Sequence, residues 1–349
     1  MLYEFMDSEL RQDIVSGDWV AIAPARSKRP DQFLKKEKRI KAPIESCPFE
    51  NPQKSGNNPP ILIYVKNKKM VFIDKKFPGY GGDLKKWQVQ VLENKYPALK
   101  HKTICAKEFK KGPYSVVEGV GYHDLVITRD HNKNFANLDK NTANSVFGAF
   151  KDRYLIIGKD NCTAYTSIFH NWGPKAGASV YHPHYQIISL PIIPPDIGRS
   201  LKGSDSYFFV NKKCVHCVMI EWEKKEKIRV VYENDAAISF TPFVSREPFE
   251  VRIFPKNHLP FFEETGKEDM EAVVDVLQKV LKGIETKLRD PDYNFFIHTA
   301  PHVDKQKHGH YHWHIEVVPK ISTSAGFELG TGIEITVVDP NEAAKMLKI

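Results

Sequence analysis

Apolar and polar positions alternate over short runs through most of this chain, the period of half-buried strands. RQDIV and WVAIA flank a Ser16-Gly17-Asp18 turn and predict a hairpin. ILIYVKNKKMVFID (61–74) predicts two strands around a lysine-asparagine turn, and further strands follow in WQVQVLE from Trp87, Leu125 to Thr128 and Thr163 to Asn171. Two stretches change to a helical period. In 138–158, Val146, Phe147, Phe150, Tyr154 and Ile157 share a face, with Asp139 or Asn141 as the cap. Later, Met270, Val273, Val274, Leu277, Val280, Leu281, Ile284 and Leu288 do the same. Between these regions 200–213 is polar and reads as a linker. The strand pattern then restarts with IRVVYEN, AAISFTPF, FEVRIFP and NFFIHTAP.

The strand pattern repeats. FEVRIFPKNH (249–258) matches HDLVITRDH (123–131): a strand, a polar turn, a histidine. His131 and His182 are 51 residues apart, and His258 and His310 are 52. A cysteine-bearing turn precedes each pair, Cys47 in one half and Cys214 with Cys217 in the other. The economical architecture is α+β: two tandem copies of an antiparallel sheet with packed helices, over 1–199 and 200–349, related by a pseudo-twofold axis. Each copy carries a polar strand run. In AGASVYHPHYQIISLPIIPP (176–195), His182, His184 and Gln186 stand two apart, on one face of a strand. In HGHYHWHIEVVPK, His308, His310, His312 and His314 do the same.

Composition narrows the function. The chain has 349 residues, enough for two domains, and a net charge of +8. Its lysines are dispersed, with no aromatic-interleaved basic stripe, which argues against a nucleic-acid partner and suits an anionic small substrate. Arg26, Lys28 and Arg29 beside Pro30 form either a solvated basic loop or a phosphate clamp. No apolar run approaches the roughly 20 residues of a membrane span, and the N-terminus lacks a signal-peptide core, so a cytoplasmic protein is expected. The five cysteines are an odd number in a long chain expected to be cytosolic, and they do not read as a disulfide framework. Cys105 and Cys162 are expected to be ordinary thiols.

Taken in order, SGDWVAIAPARSKRP, CPF, ENKYPAL, the strand leading to TRDH, GPKAGASVYHPHYQI and YHWHIEVVPKISTSAGFELGTG resemble the galactose-1-phosphate uridylyltransferase branch of the histidine-triad superfamily over nearly the full length. AGAS and AGFELGTG are similar to its nucleotide-sugar phosphorylase-like members. The resemblance implies a ping-pong nucleotidyl transfer with His184 as nucleophile and Gln186 as the amide that binds the α-phosphate. A glutamine at that place resembles transferases and phosphorylases; a third histidine resembles hydrolases. The resemblance further implies phosphate contacts from Arg26, Arg29 and Lys175, a phosphate loop of Asn171, Gly177 and Ser179, a nucleotide contact from Asn94 and a sugar contact from Glu328.

It also implies structural zinc. One site resembles Cys47, His131 and His182, with Glu50 as fourth ligand where the family has a second cysteine, or else with the site degenerate. The other is Cys214, Cys217, His258 and His310, or else a reduced thiol pair beside a histidine-rich strand. His298, His312 and His314 match positions that bind iron in some uridylyltransferases. No glutamate follows Gln186 to complete such a site, so iron is not expected. A homodimer is compatible with the family.

The expected substrates are a nucleotide sugar with either a sugar 1-phosphate or inorganic phosphate. Hexose-1-phosphate uridylyl transfer is the first reading and ADP-glucose phosphorolysis the alternative. A hydrolase acting through the second histidine run and a non-catalytic nucleotide binder come after these.

Overall fold

A computed structural model describes residues 8–26, 39–66, 68–72 and 76–349. The N-terminal hairpin is β1 (Glu9–Gln12) and β2 (Trp19–Ile22), with Gly17 at φ +78 in its turn. The first half continues with β3 (Pro60–Val65), β4 (Lys68–Val71), β5 (Trp87–Glu93), an exposed hairpin of β6 (Glu108–Lys111) and β7 (Tyr114–Val117), and β8 (His123–Thr128). It closes with α1 (Lys140–Ile157), β9 (Tyr165–Trp172) and β10 (His184–Leu190).

Two helices follow, α2 (Pro195–Asn211) and α3 (Val215–Glu226). The second half is then β11 (Val230–Glu233), β12 (Ala237–Phe240), β13 (Val251–Pro255), α4 (Lys267–Lys287), β14 (Tyr293–His298) and β15 (His314–Pro319). The chain ends in α5 (Gly326–Thr331), β16 (Glu334–Thr336) and α6 (Pro340–Leu347).

The two halves share one antiparallel sheet of eleven strands, in the order β11-β12-β13-β15-β14-β9-β10-β8-β5-β3-β4. Read outward from the centre, β9-β10-β8-β5-β3 repeats as β14-β15-β13-β12-β11. The twofold axis passes between β9 and β14, where Phe169 pairs with Phe296. The expected repeat is therefore present, but its two sheets fuse edge to edge, which leaves neither copy an open inner edge.

One sheet face is covered by α1 and α4. Asp139 caps α1 by accepting the Thr142 N–H at 3.0 Å, so the aspartate, not Asn141, starts the helix. Val146, Phe147, Phe150 and Tyr154 of α1 and Val273, Leu277, Val280 and Leu281 of α4 pack on Tyr185, Ile187, Phe295 and Ile315. Burying such side chains is worth about 1.5–3 kcal/mol each. Alternation along the strands then sends His184, Gln186, Phe169, Phe296, His314 and Glu316 to the opposite face.

Three expectations fail here. The polar stretch 200–213 is mostly helix: Ile197, Leu201 and Ser204 of α2 are buried against the second half, and this single narrow stripe escapes notice in a polar sequence. Neither polar run is a single strand, because β10 starts only at His184 and β15 only at His314, which leaves His182, His308, His310 and His312 in the segments before them. Cys105 and Cys162 form a disulfide instead of remaining thiols. His101 stacks on Tyr122 with ring centroids 4.5 Å apart and pairs with Asp160, which carries the Cys105 loop onto the turn after α1. Among the described residues, no helix is long and apolar enough to cross a membrane.

Candidate functional site

His184 opens β10 and lies buried on the face away from the helices. Its Nδ1–H donates to the His182 carbonyl at 3.0 Å, so the lone pair of the neutral ring sits on Nε2. Burial lowers the His184 pKa below the ordinary histidine value, with the His182 carbonyl opposing, so the ring is neutral at pH 7. Phe49, from the CPF turn, packs its ring 5.3 Å from that of His184 and 5.8 Å from that of His182. Gln186 follows on the same face, its Oε1 2.9 Å from His123 Nε2.

Beside this strand is a loop made by glycine geometry. Gly173 has φ +87 and Gly177 φ +89, conformations that side-chain-bearing residues rarely adopt. A Cβ at Gly173 would also come within 2.0 Å of Asp292. The loop is held from the second half: Asp292 accepts the Lys175 N–H at 2.7 Å, and Asn294 Nδ2 donates to the Ala176 carbonyl at 2.8 Å. Arg39 pairs with Asp292 at 2.9 Å and lies over the Trp172 ring at 4.4 Å. Tyr185 pairs with His170, which sets Asn171 opposite His184 at the next position. Asn171, at the end of β9, is thus beside His184; Gly177 of the loop lies against the Asn171 amide, and exposed Ser179 follows in the same loop.

Two four-residue sets can hold a metal: Cys47, Glu50, His131 and His182, and Cys214, Cys217, His258 and His312. Their histidines are built alike. His182 Nε2 is anchored on the Thr128 carbonyl and His131 Nε2 on that of Ala42; His258 Nε2 is anchored on Gly309 and His312 Nε2 on Pro255. Each anchor fixes the tautomer and leaves Nδ1 as a lone pair aimed into the cluster. His131 Nδ1 is buried there with no hydrogen-bond partner. Burial holds His182 down at about 4, so it stays a neutral ligand. The residues fit a metal in both sets.

The second set differs from the sequence expectation in one member. His310 faces the Leu201 carbonyl at 3.3 Å and Asp205 at 3.7 Å, away from the cysteines, and His312 takes its place. Matching the halves on equal spacing misplaced the repeat by two residues. Matching YHPHYQ on YHWHIE pairs His182 with His312, His184 with His314 and Gln186 with Glu316. That alignment was available in the sequence.

The same match sets Glu316 at the place of Gln186 itself rather than after it. His298, His314 and Glu316 form a third cluster, on a polar cavity of about 80 Å³ that also meets Arg246 and Arg252. Glu316 is engaged by Arg252 at 3.2 Å, and so is Glu250 at 3.1 Å. With its carboxylate already paired to a buried guanidinium, this third set fits a metal poorly.

The remaining predicted residues are dispersed. Asn94 sits at the end of β5, with its Nδ2 3.0 Å from His123 Nε2. Arg26 is exposed on the 3-10 turn after β2, and Glu328 lies on α5, where its carboxylate accepts the Ala325 N–H at 2.9 Å. These two lie close enough for Arg26 to act on the Glu328 charge, and no contact among the described residues joins either to His184. Arg29 lies outside the described residues. His123, Asn294 and Arg39 were not foreseen, since each acts through a partner distant in sequence.

Residues 90–348 match the family described as a domain of unknown function (DUF4921). The chain is 32% identical to an ADP-glucose phosphorylase of Arabidopsis thaliana, over 99% of this chain and 93% of that protein. It is 28% identical to a galactose-1-phosphate uridylyltransferase of Thermotoga maritima, over 97% and 98%. A crystal structure of an Arabidopsis thaliana ADP-glucose phosphorylase with bound ADP-glucose superposes with a TM-score of 0.78 at 30% identity, covering 98% of this chain and 99% of that one. A uridylyltransferase structure matches with a TM-score of 0.70 at 23% identity, over 97% of each chain, and bears on the fold alone.

Proposed function

The chain belongs to the galactose-1-phosphate uridylyltransferase-like family, whose members here are nucleotidyltransferases, and we propose that it transfers a nucleotidyl group from a nucleoside-diphosphate sugar through His184. The observation that carries this reading is the fixed tautomer of His184: Nδ1–H is tied to the His182 carbonyl, and the Nε2 lone pair is left on the site face beside the Gln186 amide. Nε2 forms a bond to the α-phosphorus, and the bond from that phosphorus to the bridging oxygen breaks. Sugar 1-phosphate leaves with the electron pair. An acceptor phosphate oxygen then attacks the same phosphorus, and the N–P electron pair returns to Nε2. Splitting one displacement into two lowers each barrier. Gln186, Asn171, Gly177, Ser179 and Lys175 are proposed to bind the phosphates, with Arg26, Arg29, Asn94 and Glu328 as outer contacts.

The donor favoured here is ADP-glucose with inorganic phosphate as acceptor, supported by the full-length likeness to ADP-glucose phosphorylase and to its complex with ADP-glucose. The likeness to the Thermotoga maritima uridylyltransferase supports UDP-glucose with a hexose 1-phosphate as the second reading. Zinc is the proposed ion for Cys47, Glu50, His131 and His182 and for Cys214, Cys217, His258 and His312, because sulfur and imidazole suit that ion. It would contribute folding free energy and fix the turns that carry Phe49 and His182. Cytoplasmic location and a homodimer complete the proposal.

The test is direct. The pure protein is incubated with radiolabelled ADP-glucose or UDP-glucose, and the labelled residue is identified. Label on His184, discharged by phosphate to ADP or by galactose 1-phosphate to UDP-galactose, supports the reading and chooses the acceptor. Water-dependent loss of nucleotide with no labelled histidine would sink it.

A further inference from the structure

We infer that His123 and Asn294 are positioning residues for the transfer step: each holds the oxygen of a site amide and so turns its NH2 toward the anion beside His184. The inference rests on the reading of His184 as nucleophile. An amide or imidazole can be placed in either sense, so its polarity must come from neighbours whose own polarity is certain. Three backbone groups supply that here, the Ala98 and Tyr96 N–H groups and the Ala176 carbonyl.

The Ala98 N–H can only donate, and it lies 2.9 Å from His123 Nδ1. Nδ1 therefore carries the lone pair, and the neutral ring has its proton on Nε2. That nitrogen is 2.9 Å from Gln186 Oε1, so the proton is given to the oxygen and the Gln186 NH2 is the free end. Asn94 accepts the Tyr96 N–H on Oδ1 at 2.9 Å, which makes its Nδ2 a donor as well. It stands 3.0 Å from a ring nitrogen that already holds a proton, so its hydrogens are left for an acceptor outside the pair.

On the other side, the Ala176 carbonyl can only accept, and Asn294 Nδ2 donates to it at 2.8 Å. The same nitrogen is 2.8 Å from Asn171 Oδ1. Asn171 therefore also presents its NH2, next to Gly177, where a Cβ would come 3.6 Å from that nitrogen. Gln186 and Asn171 thus offer amide donors beside His184, and Asn94 offers a further one next to His123. Phosphate oxygens only accept, and reversing any of these amides would set its carbonyl oxygen against them. The twofold partners of His123 and Asn294 are Glu250 and Ser167, and the second half has no amide for them to orient. His123 is buried below the site, so it acts through Gln186.

The experiment measures the first half-reaction by rapid quench, as sugar 1-phosphate release and His184 labelling from whichever of ADP-glucose and UDP-glucose labels the wild type. His123→Phe removes both ring bonds, Asn294→Leu removes both amide bonds, and His123→Gln keeps a donor at the Nε2 position. Each of the first two is expected to lower the rate about 100-fold, as loss of one preorganised donor does, with KM changed less than about threefold. His123→Gln is expected to stay within about fivefold of the wild type. Labelling of His184 at the wild-type rate in both disruptive variants overturns the inference. If His123→Phe does not fold, nitrogen NMR of the wild-type ring decides: a proton on Nε2 alone is expected, and one on Nδ1 overturns it. A wild type that labels no histidine overturns the functional reading and the transfer role together, while the ring tautomer still reads the bond network by itself.

Discussion

The two halves share a backbone and diverge where a phosphate would sit. Around His184 the partners are neutral and donor-rich: Gln186, Asn171 and His123. At the twofold-related places around His314 stand Glu316, His298 and Glu250, with Arg252 where the first half has Leu125. Glu316, Glu250 and Asp13 all lie within 3.5 Å of Arg252. Burial opposes the charge on that guanidinium, but the three carboxylates outweigh it and keep it protonated. The N-terminal hairpin delivers Asp13 and α2 delivers Ser200 to the cavity beside His314. His314 keeps the backbone-fixed tautomer of His184, with Nδ1 on the His312 carbonyl at 3.2 Å. A backbone-fixed imidazole is therefore common to both halves; what distinguishes them is the charge of the side chains around it.

The largest effect should come from exchanging the two imidazoles' fates. His184→Ala is expected to lower nucleotidyl transfer about 10⁴-fold or more, and His314→Ala to leave it within about threefold, in the same assay. Equal losses would erase the distinction between the halves. Next in size is Gln186→Glu, which makes the first half resemble the second: a carboxylate facing phosphate should cost about 100–1000-fold in the transfer rate at little cost in melting temperature.

The converse change, Glu316→Gln, acts on stability. It removes one charge from a buried pair and should cost about 3–5 kcal/mol by denaturant titration. A neutral result would mean that Glu250 and Asp13 suffice for Arg252. Chelation should lower the melting temperature, and Glu50→Cys, which gives the first set the sulfur pair of the second, should make it harder to strip. An unchanged melting curve, with no metal by elemental analysis, would count against both sets.

The smallest effect is on pH. Burial pushes His170, on the helix side of the sheet, down to about 3. In the unfolded chain it titrates near 6.5, so between these values the unfolded state binds the extra proton. Its stabilisation is complete above pH 6.5 and declines as pH falls toward 3. His170→Phe should flatten that limb of the stability curve.

Much of this was legible from residues alone. Alternation located the strands of the eleven-stranded sheet and the N-terminal hairpin but not β6, β7 or β16, and the 3.6-residue period located α1 and α4, because the located elements bury one regular face. Near-equal spacing points to the wrong fourth member of the second candidate set: three extra residues between β14 and β15 move His310 out of the cluster and His312 in. The helix in 200–213 was missed because its buried stripe holds only Ile197, Leu201 and two serines.

The order of motifs by itself determined the family and, through that resemblance, the candidate nucleophile His184, the glutamine beside it and most of both candidate metal sets, since each short motif is readable in the chain without the fold. The fusion of the halves into one sheet, the Cys105–Cys162 bond, the role of Arg252 and the polarity of each site amide were decided only in the folded chain. These depend on groups 29 to 123 residues apart or more, such as Asn94 with His123 and Asn171 with Asn294, whose meeting follows from strand register. The hydrophobic pattern fixes which face of each strand is buried, but which distant strand it pairs with is settled only when those faces meet across the sheet.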